Sequence, residues 1–319
     1  MNAAVVHAFD VPPRYATFAD PVAADGETLV NVTAAALHPI VKALANGTHY
    51  GSTGELPFIP GVDGVGRLAD GSHVYFGSAR PPFGSFAERA LATNRMIVPL
   101  PGGLDDATAA GIANPAMSSW VALSARAKVV AGESVLILGA TGVAGQLAVQ
   151  IAKRRGARRV VAVGRNPQAL AQLTSLGADA VISLDQDRDS LVAAFRREFE
   201  AGVDIVLDYL WGSPAEAVLG ALSQKGLHHA ASRVRFVQIG NSAGATISLP
   251  AAILRSSGLE LIGSGFGSAS LDQIRQAIAE FFALTAKEPV HFGIKTAPLR
   301  DVEARWDAPE PAVRLVFQL

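Results

Sequence analysis

GESVLILGATGVAGQLAVQIAKRRGARRVVAVGRN, residues 132–166, contains the change of pattern that decides the fold. Val135–Leu138 is an apolar run of strand length that leads into Gly139, Gly142 and Gly145. Beyond it Val143, Leu147, Ala148, Ile151 and Ala152 recur at helical spacing. A strand entering a helix through a glycine turn meets three needs of pyrophosphate binding. These are a tight turn, close approach of the backbone, and a helix N-terminus offering N–H groups and partial positive charge. The spacing Gly139-x-x-Gly142-x-x-Gly145 departs from the commonest G-x-G-x-x-G, because Ala140 stands near one glycine's place. Alone, such a string does no more than permit tight strand–helix packing. Its setting between strand and helix points to a dinucleotide, with Gly139, Ala140, Thr141, Gly142 and Val143 against the phosphates.

The next strand, Arg159–Val163, ends in Gly164, Arg165 and Asn166, where an NAD site ordinarily places Asp or Glu for the ribose hydroxyls. No acid is present there. A carboxylate would repel a 2′-phosphate and a guanidinium can pair with it, so the expected cofactor is NADP(H) rather than NAD(H). The plain alternative is that Arg165 points into water.

Outward from this segment, residues 119–285 alternate strands with helices: RVVAVG, PQALAQLTSLG, AVISL, RDSLVAAFRREFE, VDIVLDYL, VRFVQIG, PAAILRSSG and LELIGSG, closed by SLDQIRQAIAEFFALTA. That alternation predicts a doubly wound parallel sheet covered by helices. Residues 1–118 instead show short β-rich runs broken by Gly and Pro, and residues 286–319 return to that style with VHFGIKTAPL and AVRLVFQL. The expectation is an α/β chain of two domains, the first formed by both ends.

Composition narrows the function. Half of the 319 residues are hydrophobic, and 27 basic against 28 acidic residues leave a net charge of −1. Disorder is thereby disfavoured, and no field attracts nucleic acid or an anionic membrane. The chain has 0 cysteines, so disulfides, thiolate catalysis and Cys-based zinc sites are excluded. Ala107–Ala125 and Ser134–Ala152 run without charge for a bilayer-spanning length, but the first carries Asn114, Pro115 and serines, and the second switches from strand to helix. Both read as protein interior. The N-terminus lacks a basic region followed by an apolar one, so a cytoplasmic location is expected. Neither a Ser–His–Asp pattern nor a carboxylate pair is evident.

LPFIPGVDGVGRL (56–68), GSFAERALATNRMIVPLP (84–101), ATAAGIANPAMSSWVAL (107–123), GATGVAG (139–145), VLDYLWG (206–212), QIGNSAG (238–244), LIGSGFG (261–267) and APLRDVEARW (297–306) form a set far more specific than any one motif. Together they resemble the zinc-independent quinone oxidoreductases of the medium-chain dehydrogenase/reductase superfamily, the group that includes zeta-crystallin. The resemblance runs nearly end to end. It implies a GroES-like β-rich catalytic lobe, a Rossmann domain between its two parts, and a cleft at their junction. The zinc ligands of the metal-dependent branch would fall on His38, Val62 and Asn114, a set that cannot hold catalytic zinc. The resemblance therefore implies no metal. Hydride would pass from NADPH to a quinone or enone, acceptors already electrophilic enough to do without a Lewis acid.

The same resemblance assigns residues. ALHPIVKALANGTHY (36–50) matches the segment beside the nicotinamide, with His38 in place of an Asn, Val41 in place of an acid, and Tyr50 as the tyrosine near substrate. His38 could orient or protonate the acceptor, or be a satisfied structural residue. Asn114 and Ser118 are placed with the cofactor, Ser118 on its nicotinamide side. Gly240, Asn241 and Ser242 would meet ribose or phosphate, and Phe266 would lie where backbone groups hold the carboxamide. Arg314 falls at a family lysine, but Val313 replaces the adjoining glycine. The strand Leu259–Gly263 would pair across a two-fold axis to make a homodimer. Two alternatives stand beside a quinone reductase: an enone, alkenal or enoyl-thioester reductase, and a non-catalytic NADPH-binding sensor or structural protein.

Overall fold

The computed structural model describes residues 1–77, 79–223, 232–308 and 312–319. It divides into two compact units, Met1–Pro115 with Leu271–Leu319, and Ala116–Ser270. The strands of the first stretch are β1 (Asn2–Val5), β2 (Arg14–Thr17), β3 (Glu27–Ala36), β4 (Asp63–Arg67), β5 (His73–Gly77), β6 (Arg89–Thr93) and β7 (Ile97–Pro99). The second unit contributes β8 (Ser134–Leu138), β9 (Arg159–Gly164), β10 (Ala180–Ser183), β11 (Ile205–Asp208), β12 (Arg233–Gln238) and β13 (Gly258–Gly263). β14 (Gly293–Pro298) and β15 (Val313–Gln318) return to the first unit.

In the second unit the six strands pair in parallel in the order β10-β9-β8-β11-β12-β13. Every residue of β8 is buried, as a strand covered on both faces requires. Helices Val143–Arg154, Pro167–Leu173, Arg188–Glu200, Gly212–Ala221 and Ala251–Ser256 make the crossovers. Leu136, Val161, Val206 and Phe236 of the sheet pack with Phe195, Val218 and Leu219 of the helices. The winding direction reverses between β8 and β11, the switch point at which such sheets bind ligands.

β3 anchors the first unit, pairing with β15, β4 and β6 within a mostly antiparallel sheet. Phe86 stands edge-on to Phe317 at 5.4 Å and to Trp306 at 6.2 Å. Both ends of the chain thus share one core.

The unit boundaries differ from the sequence expectation of 118/119 and 285/286, because they fall at 115/116 and 270/271. The helix Leu271–Lys287 does not close the parallel sheet. It turns Ile274, Ile278, Phe281 and Phe282 inward, and Phe282 meets Tyr75 of β5 edge-on at 5.7 Å. Arg95 pairs with Asp272 at 2.9 Å. Of the two charge-free stretches, the first is mostly the helix Asp106–Val121 and the second is β8 with its following helix. Among the described residues no helix is long and apolar enough to cross a membrane.

Candidate active site

The turn after β8 shows what each glycine does. Gly139 has φ +84°, and a Cβ there would stand 3.0 Å from Leu210. The Gly139 and Ala140 N–H groups donate to the Val163 carbonyl at 3.0 and 2.9 Å, fastening the turn to β9. Gly142 precedes the helix Val143–Arg154 as its N-cap, and its N–H donates to the Gly139 carbonyl at 3.2 Å. Gly145 is packed hardest, since a Cβ would lie 2.3 Å from the Gly139 oxygen and 2.4 Å from the Ala140 Cα. The helix can start this close to the turn only without a side chain at 145. The Gln146 amide donates to the Thr141 carbonyl at 3.1 Å. Val143 is buried, so its backbone N–H is what it can offer a ligand, as one of the first N–H groups of a helix.

β9 ends against the same turn, because a Cβ on Gly164 would meet the Thr141 methyl at 2.5 Å. Arg165 follows as an exposed residue. Asn166 caps the helix Pro167–Leu173, its Oδ1 accepting from Ala169 N at 2.9 Å. That oxygen is committed to the helix, leaving the amide NH₂ for a ligand. Replacing Asn166 by alanine is expected to lower stability by about 1 kcal/mol in a denaturant titration, a typical cap loss. A change in dinucleotide affinity beyond that would show the amide in ligand contact.

On the other side of the switch point Asp208 ends β11, and sequence reasoning gave it no role. Its buried carboxylate accepts from Leu210 N at 2.8 Å and Trp211 N at 3.0 Å. Burial pushes its pKa up to about 6, and these two N–H groups act the other way. Its carbonyl accepts from Ile239 N at 2.8 Å and Gly240 N at 3.0 Å. The loops after β11 and β12 are thereby sewn together. Gly240 lies where a Cβ would meet the Tyr209 carbonyl at 2.8 Å, and the Ser242 hydroxyl donates to that carbonyl at 3.1 Å. Asn241 and Ser242 are exposed. The signal in the sequence was an acid closing an apolar strand before Tyr-Leu-Trp-Gly.

Gly139–Val143, Gly164–Asn166 and Gly240–Ser242 therefore gather at the carboxyl ends of β8, β9 and β12, with β11 between β8 and β12. Phe266 is 47% exposed in the loop after β13, the edge strand beyond β12. Ser118 and Ser119 are beside the Tyr209 phenol, which burial pushes up to about 12 while the two hydroxyls act against it. Asn114 is half-buried one turn earlier on the same helix.

The two catalytic candidates of the first unit sit in opposite settings. Tyr50 is 78% exposed and stacks on His49 with ring centroids 4.1 Å apart. His38 is 1% exposed at the N-cap of the helix Pro39–Ala45. Its Nε2 is 3.5 Å from Asp63 Oδ1, and the Tyr75 hydroxyl donates to Asp63 Oδ2 at 2.9 Å. Burial, helped by Arg314, holds the His38 imidazole well below its ordinary range, so it is neutral. Burial raises Asp63 to about 7 against the pull of Tyr75 and Arg314. Arg314 is itself buried, donates to the Leu37 carbonyl at 2.7 Å, and is brought down to about 10 by burial. Its guanidinium faces this cluster. Among the described residues no group of three or more His, Cys, Asp or Glu side chains is placed to hold a metal ion.

Residues 143–283 match the family of zinc-binding dehydrogenases. The chain is 28% identical over 348 residues to the "Probable NADPH-dependent quinone reductase tdiC" of Emericella nidulans, with 96% of each chain covered. It is 29% identical over 217 residues to the quinone oxidoreductase of Lama guanicoe, covering 65% of this chain and 64% of that one. The quinone oxidoreductase of Thermus thermophilus, whose structure is also known in complex with NADPH, superposes with a TM-score of 0.80 at 25% identity over 100% of both chains. Along its whole length the chain is similar to quinone oxidoreductases of the medium-chain dehydrogenase/reductase superfamily. The matched span 143–283 does not include His38, Val62 or Asn114.

Proposed function

We propose that the protein is an NADPH-dependent, zinc-independent oxidoreductase that reduces a quinone or an α,β-unsaturated carbonyl compound. The observation that carries this reading is the end of β9, where the exposed Arg165 follows Gly164 and the segment Gly164-Arg165-Asn166 contains no acid. The NADPH-dependent relative and the NADPH complex of the structural neighbour support it. Bound NADPH supplies the hydride. The helix beginning at Val143 offers its N–H groups to the pyrophosphate, Arg165 pairs with the 2′-phosphate, and Asn241 and Ser242 meet the ribose. Zinc independence rests on the donor set, since Val62 has no ligating atom, Asn114 offers only an amide, and the chain has 0 cysteines. Tyr50, with its hydroxyl in an exposed ring, is the donor to the developing enolate oxygen. His38 acts from the interior as a neutral, positioning residue.

The test measures NADPH and NADH oxidation, with a chelator present, against ortho- and para-quinones, enones and aldehydes. Chelator-resistant, NADPH-preferring reduction is the expected result. In Arg165→Ala, kcat/KM for NADPH falls about 10- to 30-fold and that for NADH holds, as loss of one charge-assisted pair predicts. Equal losses with both cofactors would remove Arg165 from the phosphate. Tight NADPH binding without turnover of any acceptor would favour the sensor or structural reading. We further propose a homodimer through β13, an edge strand that leaves Leu261 42% exposed. A monomer in sedimentation at micromolar concentration would overturn it.

A further inference from the structure

The helix Pro39–Ala45 runs out into a turn that fixes His49 by its backbone on both sides. Thr48 N and His49 N both donate to the Ala43 carbonyl, at 3.0 and 3.1 Å, and the His49 carbonyl accepts from Ser52 N at 2.9 Å. The side chain is held as well. Its Nδ1 accepts from Gly51 N at 3.0 Å, the two-residue bridge that Asn and Asp make in Asx turns, here made by an imidazole. A Cβ on Gly51 would stand 3.2 Å from that nitrogen, so glycine keeps the approach clear. An accepting Nδ1 places the proton of a neutral ring on Nε2. Burial lowers the His49 pKa, which favours that neutral ring. Tyr50, by contrast, is 78% exposed, and solvent alone would leave its rotamer open. The anchored ring of His49 lies against it, with centroids 4.1 Å and planes 32° apart.

We propose that His49 is a positioning residue for the reduction: anchored on Gly51, its ring stacks on Tyr50 and holds the phenol in the orientation from which it donates to the acceptor oxygen. The proposal rests on the reading of Tyr50 as the donor of a reductase and adds the residue that aims it. A donor stabilises developing charge best when it is already in place. An aromatic pair favours its stacked arrangement by about three- to tenfold, enough to narrow the choice of an exposed ring. The imidazole combines two properties. Phenylalanine would stack without accepting from Gly51, and asparagine would accept without stacking.

A double-mutant cycle on the full-length protein tests the proposal. NADPH oxidation by para-benzoquinone is followed in single turnover with enzyme in excess, so that slow variants remain readable. His49→Ala is expected to lower the rate constant about three- to tenfold and to leave NADPH affinity within about twofold, because the interaction serves the transition state alone. In a Tyr50→Phe background the same change costs nothing further, and His49→Phe, which keeps a ring, recovers part of the loss. NMR gives a readout independent of turnover. The His49 Cε1 proton is displaced by the Tyr50 ring current and returns to its ordinary position in Tyr50→Leu, and the imidazole nitrogens report the proton on Nε2. An equal loss in the Tyr50→Phe background, or a native rate in His49→Ala where Tyr50→Phe is impaired, overturns the proposal and leaves the reductase reading standing. A His49 resonance indifferent to Tyr50→Leu does the same. A native rate in Tyr50→Phe removes the donor assignment and the proposal with it. NADPH bound without turnover of any acceptor overturns the reductase reading, and the positioning role falls too.

Discussion

Gly145→Ala is expected to lower NADPH affinity at least 100-fold and to destabilise the protein by about 1–3 kcal/mol, the usual range for overpacking. The cause is the position of the new methyl group, 2.3 Å from the Gly139 oxygen and 2.4 Å from the Ala140 Cα. Both atoms are main chain, so no rotamer change relieves the contact. Either the helix Val143–Arg154 withdraws or the turn opens, and each moves the N–H groups that face the pyrophosphate. Gly142→Ala is the internal control. Its Cβ would meet only the Gly139 oxygen, at 3.6 Å, and its φ of −77° is open to any residue. Stability should hold within about 0.5 kcal/mol, so affinity lost there reports crowding of the ligand. Fluorescence titration with NADPH and urea unfolding measure both quantities. A Gly145→Ala protein of native stability and affinity would refute the account of the turn.

The second large effect concerns the His38–Asp63 cluster. Burial raises Asp63 from its ordinary 3.8 to about 7. Between those values the folded chain holds a proton that the unfolded chain has released, so stability falls as pH rises through that window. The full penalty, as much as about 4 kcal/mol, stands above pH 7. His38 acts with the opposite sign. Burial, then Arg314, lowers it well below 6.5, so the unfolded chain holds the extra proton beneath that pH and stability rises until pH reaches 6.5. Each slope reaches at most about 1.4 kcal/mol per pH unit. The other groups facing the pair titrate outside this interval, Tyr75 well above its ordinary 10.0 and Arg314 near 10. In the native protein the two slopes oppose each other across mildly acidic pH. Asp63→Asn should expose the His38 slope, with stability climbing to about pH 6.5 and then levelling. His38→Asn should expose the Asp63 slope, falling from pH 5 to 7. Urea midpoints at pH 5, 6, 7 and 8 decide the matter, and parallel profiles for Asp63→Asn and the native protein would sink the idea.

Legibility in the sequence followed the range of the forces involved. The glycine turn could be read because most of its requirement is local: Gly139 stands at φ +84° and Gly145 answers to atoms of Gly139 and Ala140, in a strand–helix pattern visible in one stretch of chain, while the Leu210 and Tyr209 side chains that also crowd Gly139 come from the loop after β11 and could not be read there. The parallel sheet was legible for the same reason. The helix Leu271–Lys287 was not, because its period reveals an apolar face without saying which sheet that face covers. His38 shows the limit more sharply. Its place before a proline marks a helix start, but its buried partners Asp63 and Arg314 come from β4 and β15. Arg314 matched a cofactor-side position along the chain, and its side chain turns inward to the Leu37 carbonyl. Asp208 carries two loops by hydrogen bonds that no spacing rule reports.

The pairing of β3 with β15 has a consequence for biogenesis. Ala34–Ala36 cannot meet Val316–Gln318 until synthesis has passed residue 318. The unit Ala116–Ser270 is continuous and emerges from the ribosome complete, whereas the unit begun first must wait for Leu271–Leu319. Vectorial synthesis therefore lets the later-starting unit finish folding first. Through that interval the nascent N-terminal sheet presents β3 without β15, an open edge of the kind that other chains and chaperones recognise.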